Sequence, residues 1–168
     1  MDSRKAGQLL TEKFSKAVVK VEEFREETSV TIEPSRLIEI MTFLKQNRDL
    51  NYDMLIDLAG VDFPDRTPRF TISYLLNSTS FHNRLRIKIN VEEGSSVDSV
   101  NDIWKAADWM EREASEMFGI RFNNHPDLRH ILLTDDFIGY PLRKDYDVKG
   151  PDFGQPLKIN LDQEEQIF

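Results

Sequence analysis

The eight residues from Arg84 to Val91 alternate strictly between polar and apolar side chains. The apolar positions are Leu85, Ile87, Ile89 and Val91, and the polar positions are Arg84, Arg86, Lys88 and Asn90. Successive side chains of a strand point to opposite faces of its sheet, so this period of two predicts a strand with one buried and one solvated face. Such half-buried strands are typical of antiparallel sheets. The chain must therefore supply other elements that cover the apolar face.

The polar face of this predicted strand is basic, although the chain as a whole is acidic. The sequence holds 22 Lys and Arg against 30 Asp and Glu, for a net charge of -8. A negative chain is repelled by phosphate backbones and by anionic headgroups, so nucleic acid and membrane surfaces are unfavourable partners. Two interpretations of the basic face stay open: an ordinary solvated face, or a surface for an acidic partner.

The remaining patterns up to about residue 120 predict both strands and helices. Apolar residues recur at helical spacing in a short opening helix around Leu9 to Phe14, at Ser35–Arg48 and at Val100–Phe118, where Gly119 is a natural terminator. Strand-like runs occupy a hairpin from Ala17 to Ile32, then Tyr52–Val61 and Arg69–Leu76. We therefore expect an α+β core domain over residues 1–120, in which an antiparallel or mixed sheet packs against helices.

Beyond Gly119 the chain becomes irregular but stays apolar. Pro126, Pro141, Pro151 and Pro156 punctuate this part of the sequence. Residues that precede proline favour extended backbone, so long helices are not expected here. The apolar content is too high for a solvated tail, and the core offers limited surface to bury it. We interpret residues 121–168 as an extended, proline-punctuated C-terminal docking segment that binds a partner protein, principally from His125 to Tyr146.

Several chemistries have no support in the sequence. The chain has no cysteine, which excludes disulfides, thiolate nucleophiles and cysteine-held zinc or iron–sulfur sites. No Gly-rich phosphate loop and no Gly-x-Ser-x-Gly motif is present. No apolar run approaches the length of a membrane span, and the first residues do not resemble a secretion signal or a transit peptide. We expect no metal, flavin or nicotinamide in this chain, no membrane insertion and a cytoplasmic location.

Acidic and imidazole side chains form two clusters that need an interpretation. Asp102, Asp108, Glu111, Glu113 and Glu116 lie on the last predicted helix, and His125, Asp127 and His130 follow it. The favoured interpretation is a solvated or salt-bridged helix face followed by a structural network of turn and cap residues. An acid–base set of Glu111, Glu113 and His125 in a small independent enzyme is the alternative, and a free-standing interaction module is a weaker one.

Four blocks, in this order, closely resemble the family of 30-kDa subunits of respiratory complex I, the NADH:quinone oxidoreductase. They are Trp109-x-Glu111-Arg112-Glu113, Met117-Phe118-Gly119-Ile120, His125-Pro126-Asp127-Leu128-Arg129 and Gly139-Tyr140-Pro141-Leu142-Arg143-Lys144-Asp145-Tyr146. The resemblance covers about residues 50 to 146. Glu116, His130 and Asp147 depart from the family pattern, which has Asp, Arg and Pro there.

The resemblance implies a non-catalytic scaffold subunit in the hydrophilic arm of the complex, peripheral at the cytoplasmic face of the membrane. Its partners would be the subunit that helps form the quinone cavity and subunits that carry flavin and iron–sulfur clusters. A related membrane-bound hydrogenase or formate hydrogenlyase is the alternative assembly. The expected partner-binding residues are Glu111, Arg112, Glu113, His125, Asp127, Arg129, Tyr140, Leu142, Arg143, Lys144, Asp145 and Tyr146. Among them, Arg143 and Lys144 would pair with partner carboxylates, and Leu142 and Tyr146 would fill apolar pockets.

Overall fold

The computed structural model describes residues 3–150, which form three α-helices and seven β-strands. In chain order they are α1 (Ser3–Lys13), β1 (Val18–Phe24), β2 (Glu27–Ile32), α2 (Leu37–Gln46), β3 (Met54–Asp62), β4 (Phe70–Ser78), β5 (Asn83–Val91), β6 (Ser96–Asp98), α3 (Ala107–Phe118) and β7 (Arg121–Asn123). A single 3₁₀ turn at Pro34–Arg36 leads into α2.

Five of the strands form a mixed sheet in the order β1-β2-β5-β4-β3. Strand β2 pairs in parallel with β5, whereas the β1–β2, β4–β5 and β3–β4 pairs are antiparallel. Strands β6 and β7 form a separate two-stranded parallel pair. This architecture confirms the predicted α+β class and the mixed sheet.

The alternation of β5 decides which face of the sheet is buried. Leu85, Ile87 and Ile89 are fully buried, whereas Arg86 and Lys88 lie on the opposite face and are partly exposed. Ile87 is registered between Val30 of β2 and Tyr74 of β4, both of which are fully buried. The predicted orientation of this strand is therefore confirmed, and its apolar side chains lie at the centre of the core.

Among the described residues, the helices cover the apolar face of the sheet and leave its other face open. Helix α1 packs on β1, β2 and β5, and α3 packs on β3. At Gly7 of α1 an added Cβ would lie 3.3 Å from the Val21 side chain, so the small residue permits close approach of this helix to the sheet. At Gly60 of β3 it would lie 2.7 Å from the Phe118 ring, which fills that space at the end of α3.

The helix expected from Val100 to Phe118 is shorter than predicted, because α3 begins only at Ala107. Val100 and Trp104 are buried at helix-like spacing, but the intervening residues form turns closed by hydrogen bonds from the Ile103 and Trp104 amides to the Val100 carbonyl. The apolar periodicity therefore marks burial of the whole stretch and not continuous helix. Strands β6 and β7 were not predicted, since three residues are too few to show an alternating pattern.

The strand pairing continues past residue 120, because β7 pairs with β6. From Asn124 to Gly150 the chain contains no helix or strand, as the prolines and glycines predicted. The last part of the predicted docking segment, residues 151–168, lies outside the described residues.

We expect Ile87→Ala to lower the free energy of unfolding by about 2–5 kcal/mol, because it removes buried methyl groups and leaves a cavity. Arg84→Ala on the exposed side of the same strand should change it by no more than about 0.5 kcal/mol. Urea unfolding of both variants measures the difference. Equal effects of the two substitutions would contradict this assignment of faces.

Candidate functional site

The predicted docking segment turns away from α3 at Gly119. This residue ends the helix in the left-handed conformation, with φ 73°, and its amide donates to the Ser115 carbonyl at 2.8 Å. A Cβ at this position would lie 2.6 Å from both the Tyr140 ring and the Arg143 guanidinium. Glycine is therefore required here for two reasons. It adopts the left-handed backbone conformation without strain, and it leaves space for the side chains of Tyr140 and Arg143. We call residues 124–150 the C-terminal segment.

Glu116 holds the first part of the C-terminal segment against α3. Its buried carboxylate accepts hydrogen bonds from the Ile131 and Leu132 amides at 3.0 Å, and a longer one from the Leu133 amide. A backbone without strand or helix pairing needs such acceptors, since buried N–H groups left without one are costly. The expectation of a solvated acidic helix face is wrong for Glu116.

Glu111 is the second acidic residue of α3 that the structure places in the interior. Its fully buried carboxylate accepts from the Ser99 hydroxyl at 2.5 Å and from the Val100 amide at 2.8 Å. Burial raises the pKa of Glu111, and these two hydrogen bonds oppose part of that rise. The expectation of a solvated face is wrong for this residue too, because α3 uses its carboxylate to hold the turn that precedes it.

His125 packs beside Glu111, and its hydrogen bonds indicate the tautomer of the ring. The Asp127 amide donates to Nδ1 at 3.1 Å, so Nδ1 is an acceptor and Nε2 carries the proton. Nε2 then donates to the Asp108 carbonyl oxygen at 3.1 Å. The imidazole is fully buried and links the start of the C-terminal segment to the first turn of α3. This is the structural network predicted for His125 and Asp127.

The alternative acid–base set is not assembled in this fold. Glu111 and His125 have no exposed side-chain surface, and Glu113 is exposed elsewhere on the helix. Residues two apart on a helix point about 200° away from each other, so Glu111 and Glu113 cannot face one substrate. Within residues 3–150 no group of three or more His, Asp or Glu side chains is arranged to hold a metal ion.

Arg112 and Asp127 fix the backbone that follows His125. Arg112 donates to the Arg129 carbonyl at 2.9 Å and to the His130 carbonyl at 3.3 Å, and its guanidinium lies over the Trp109 ring. Asp127 accepts from the amide and the guanidinium of Arg129, which lowers the pKa of this carboxyl group. Both side chains are therefore used within the chain.

A buried ion pair ties the other end of the C-terminal segment to the sheet. Asp62 is fully buried at the end of β3 and binds Arg69 through two hydrogen bonds of 2.8 and 2.9 Å. The same carboxylate accepts from the Lys144 amide at 2.8 Å, and Arg69 also binds Asp145 at 2.8 Å. Hydrogen bonding to Arg69 lowers the pKa of Asp62 and of Asp145. We call Asp62 and Arg69 the central ion pair.

Arg143 lies next to the central ion pair and is also bound internally. Its Nε donates to the Phe118 carbonyl at 2.7 Å, and Nη1 pairs with Glu93 at 2.5 Å. The guanidinium stacks between the rings of Phe70 and Tyr140. Arg143 therefore anchors the segment within the chain, where a bond to a partner carboxylate had been expected; a further role in partner binding stays a prediction.

The outer side of the C-terminal segment carries exposed apolar side chains among charged ones. Six of the thirteen exposed large hydrophobic side chains of the described residues lie in this segment, and Trp109 of α3 adds a seventh. We call Trp109, Leu128, Leu132, Ile138, Tyr140 and Leu142 the apolar strip. Its most exposed members are Ile138 at 68%, Leu132 at 64% and Trp109 at 64%. Apolar surface on an internally anchored segment is typical of a protein–protein interface.

The twelve residues predicted to bind partners fall into three groups in the structure. Glu113, Arg129, Tyr140, Leu142, Lys144 and Asp145 are exposed, Arg112, Asp127, Arg143 and Tyr146 are partly buried, and the side chains of Glu111 and His125 are buried. Tyr146 stacks on Phe137 with ring centroids 6.1 Å apart. Sequence reasoning did not single out Asp62, Arg69 and Glu93 as anchors, because their spacing along the chain carries no local signal. Leu132 and Ile138 were recognised only as part of an apolar stretch.

Comparison with known proteins identifies the family. The family model described as "Respiratory-chain NADH dehydrogenase, 30 Kd subunit" matches residues 30–152. An NADH-quinone oxidoreductase subunit of Geobacter metallireducens is 48% identical over 84% of this chain and 88% of its own length. The equivalent subunit of Citrifermentans bemidjiense is 42% identical over 95% of this chain and 98% of its own length. The chain belongs to the family of 30-kDa subunits of the respiratory-chain NADH dehydrogenase.

A solved structure has the same fold. A chain of the membrane-bound sulfane sulfur reductase, an archaeal respiratory membrane complex, superposes with a TM-score of 0.72 over 86% of this chain and 85% of that chain. It is 20% identical in sequence, so the likeness concerns the fold alone. None of the helices within residues 3–150 has the length and apolar character that crossing a bilayer requires.

We expect Asp62→Asn to lower the free energy of unfolding by about 3–5 kcal/mol, because it leaves Arg69 without its buried partner. Hydrogen exchange at the Lys144 amide should become faster in this variant, since the amide loses its carboxylate acceptor. Asp65→Asn, in the exposed loop that follows, is the matched control. Unchanged protection at Lys144 would contradict the role of Asp62 as an anchor.

The effect of Asp62→Asn should depend on pH. The folded pKa of Asp62 lies below its ordinary value of 3.8, so its carboxylate stabilises the fold above that pH and the contribution is lost as the pH falls through the folded pKa. The stability difference between the wild-type protein and the variant should therefore be full at pH 7 and shrink below pH 3.8. Urea unfolding at a series of pH values measures it. A difference that stays constant to the most acidic pH would be inconsistent with the ion pair.

Proposed function

We propose that this chain is a non-catalytic scaffold subunit in the peripheral arm of an NADH:quinone oxidoreductase. The apolar strip carries the proposal, because it presents exposed hydrophobic side chains on a backbone that buried groups already hold in place. Membership of the 30-kDa subunit family supports this assembly. Flavin, iron–sulfur clusters and the quinone site would belong to partner subunits, and the complex would hold this chain at the cytoplasmic face of the membrane.

The internal bonds that anchor the C-terminal segment favour its binding to a partner subunit. Ordering a loop at an interface costs free energy, and a segment ordered before it meets its partner avoids part of that cost. Tyr140 and Leu142 lie beside the anchor Arg143, so they are presented from a fixed backbone. We propose that the apolar strip packs against the subunit that forms the quinone site, with Lys144 and Glu113 at its polar rim.

A small cavity of about 170 Å³ between α3 and β3 supports the same location for the interface. Met110, Glu113 and Leu142 line it together with Gly60 and Phe118. A cavity of this volume would accept one apolar side chain of a partner, with the Glu113 carboxylate at its edge. This arrangement has the form of an anchor pocket with a polar margin.

The equivalent subunit of a related membrane-bound complex is the second candidate. Its support is the shared fold with a chain of the archaeal sulfane sulfur reductase complex. The two candidates differ in what the purified assembly contains. An NADH-oxidising flavoprotein among the co-purified subunits would support the first, and a hydrogenase or sulfur-reducing partner in its place would support the second.

We expect Leu132→Asp combined with Ile138→Asp to reduce incorporation into the assembled complex by about tenfold or more, because two carboxylates would be buried against apolar surface. Both side chains are exposed, so the melting temperature of the isolated chain should change little. Native gels and co-purification measure assembly. The matched control is Phe24→Asp combined with Phe81→Asp, two exposed aromatic residues outside the apolar strip. Normal assembly of the first variant, or equal loss in the control, would refute the docking role of the strip.

A further inference from the structure

The face of the five-stranded sheet that the helices leave uncovered forms a broad groove of about 780 Å³. Four cationic residues line it, Lys20, Arg66, Arg86 and Lys88, against the single carboxylate of Glu22. The groove is thus locally positive in a chain whose net charge is -8. We call this surface the basic groove.

Small side chains form the floor of the basic groove, and apolar side chains form its margins. Ala59 on β3 and Thr71 and Ser73 on β4 are small and lie beside Arg86 and Lys88 of the central strand β5, so another element can approach the sheet closely. Val19 on β1 and Val61 on β3 lie at opposite edges and are 58% and 40% exposed. The surface therefore offers a central row of positive charge between two apolar borders.

Within residues 3–150, part of the positive charge in the groove is not used in strong internal bonds. The Lys88 amine lies 3.9 Å from the Glu22 carboxylate, beyond hydrogen-bond distance. Arg66 lies over the Phe63 ring, at 4.3 Å from its centroid. Arg86 is bound to Ser73 and to Glu27, and its side chain is 30% exposed. Lys88 and Arg66 can therefore bind a partner's carboxylates without breaking a strong internal bond, and Arg86 has further guanidinium N–H donors besides the two used in these bonds.

We propose that the basic groove binds an acidic amphipathic helix of another protein subunit. Arg86 and Lys88 are two residues apart on one face of β5, which separates them by about 7 Å along the strand. Carboxylates at positions i and i+4 of a helix are about 6 Å apart along its axis, so a helix aligned with β5 would match both cations. Apolar residues on either side of that carboxylate row would meet Val19 and Val61.

A protein helix fits this surface better than a phosphate polymer or a membrane. The chain's net charge of -8 repels extended anionic surfaces at long range, whereas a single acidic helix meets only the local positive groove. Five strands spaced about 4.8 Å apart span roughly 19 Å, which accommodates one helix with a diameter of about 10–12 Å.

This interface would be distinct from the apolar strip. The basic groove lies on the face of the sheet opposite α3, whereas the strip lies along α3 and the C-terminal segment. The proposal rests on the proposed function in one respect, since it takes the partner to be a subunit of the same assembly. The experiment distinguishes this proposal from the proposed function, because assembly of the complex and contact at the groove are measured independently.

The test places the photo-crosslinker p-benzoylphenylalanine at Ala59, which is exposed in the groove, and at Gln8 of α1 as a matched exposed control. Irradiation of the purified complex and mass spectrometry identify the cross-linked peptide. We expect Ala59, and not Gln8, to cross-link to one subunit within a helical peptide that carries carboxylates four residues apart. No cross-link in an assembled complex, or a cross-link to residues 151–168 of this chain or to a second copy, would overturn the proposal.

Charge reversal provides the second measurement. Lys88→Glu should lower the cross-linking yield at Ala59 by about tenfold, Lys88→Arg should retain it, and Lys5→Glu with the same change in net charge should leave it unaltered. Replacing a glutamate of the identified peptide by lysine should restore the yield of Lys88→Glu. Failure of this restoration would overturn the charge pairing. Failure of the wild-type chain to co-purify with cluster-bearing subunits would instead refute the proposed function.

Discussion

The buried ion pair between Asp62 and Arg69 is the interaction on which the arrangement of the C-terminal segment depends. It lies where β3 ends and β4 begins. The Lys144 amide donates to the Asp62 carboxylate, and the Asp145 carboxylate accepts from Arg69. A buried carboxylate needs several donors to offset the loss of water, and Asp62 has two from Arg69 and one from the Lys144 amide in a distant part of the chain. The edge of the sheet and the end of the segment are therefore held by one charge centre.

Together with Glu116 and Arg143, this ion pair supplies hydrogen-bond partners to the backbone of an irregular segment that packs on the core. Residues 124–150 form no strand or helix, so their inward N–H groups bond to side chains, to turn carbonyls within the segment and, at Leu142, to the Met117 carbonyl of α3. The Glu116 carboxylate accepts hydrogen bonds from amides near residue 131, and Asp62 accepts one from the Lys144 amide. Arg143 donates a hydrogen bond to the backbone carbonyl at the end of α3. The exposed apolar residues of the segment, such as Leu132 and Ile138, face outward, whereas Leu133 packs against the core.

The resulting molecule has two chemically different surfaces on opposite sides of one sheet. The helix-covered side carries the apolar strip, and the uncovered side carries the basic groove, with Arg86 and Lys88 at its centre. The first surface suits burial against another subunit, and the second suits an acidic element. Under the proposed function, these two surfaces would let the chain contact two neighbouring subunits at once.

The sequence by itself determined the fold class, the inward face of β5, the end of α3 at Gly119 and the irregular character of the segment beyond it. Each of these follows from local periodicity or from the backbone preferences of glycine and proline, which neighbouring residues alone express. The four motif blocks also placed the chain in its family. Only the tertiary structure decided that Glu111 and Glu116 are buried, that the turn at Val100 precedes the helix, and that Arg143 binds within the chain. These outcomes depend on pairs such as Asp62 with Lys144, which lie far apart in sequence and become neighbours only when the sheet has formed.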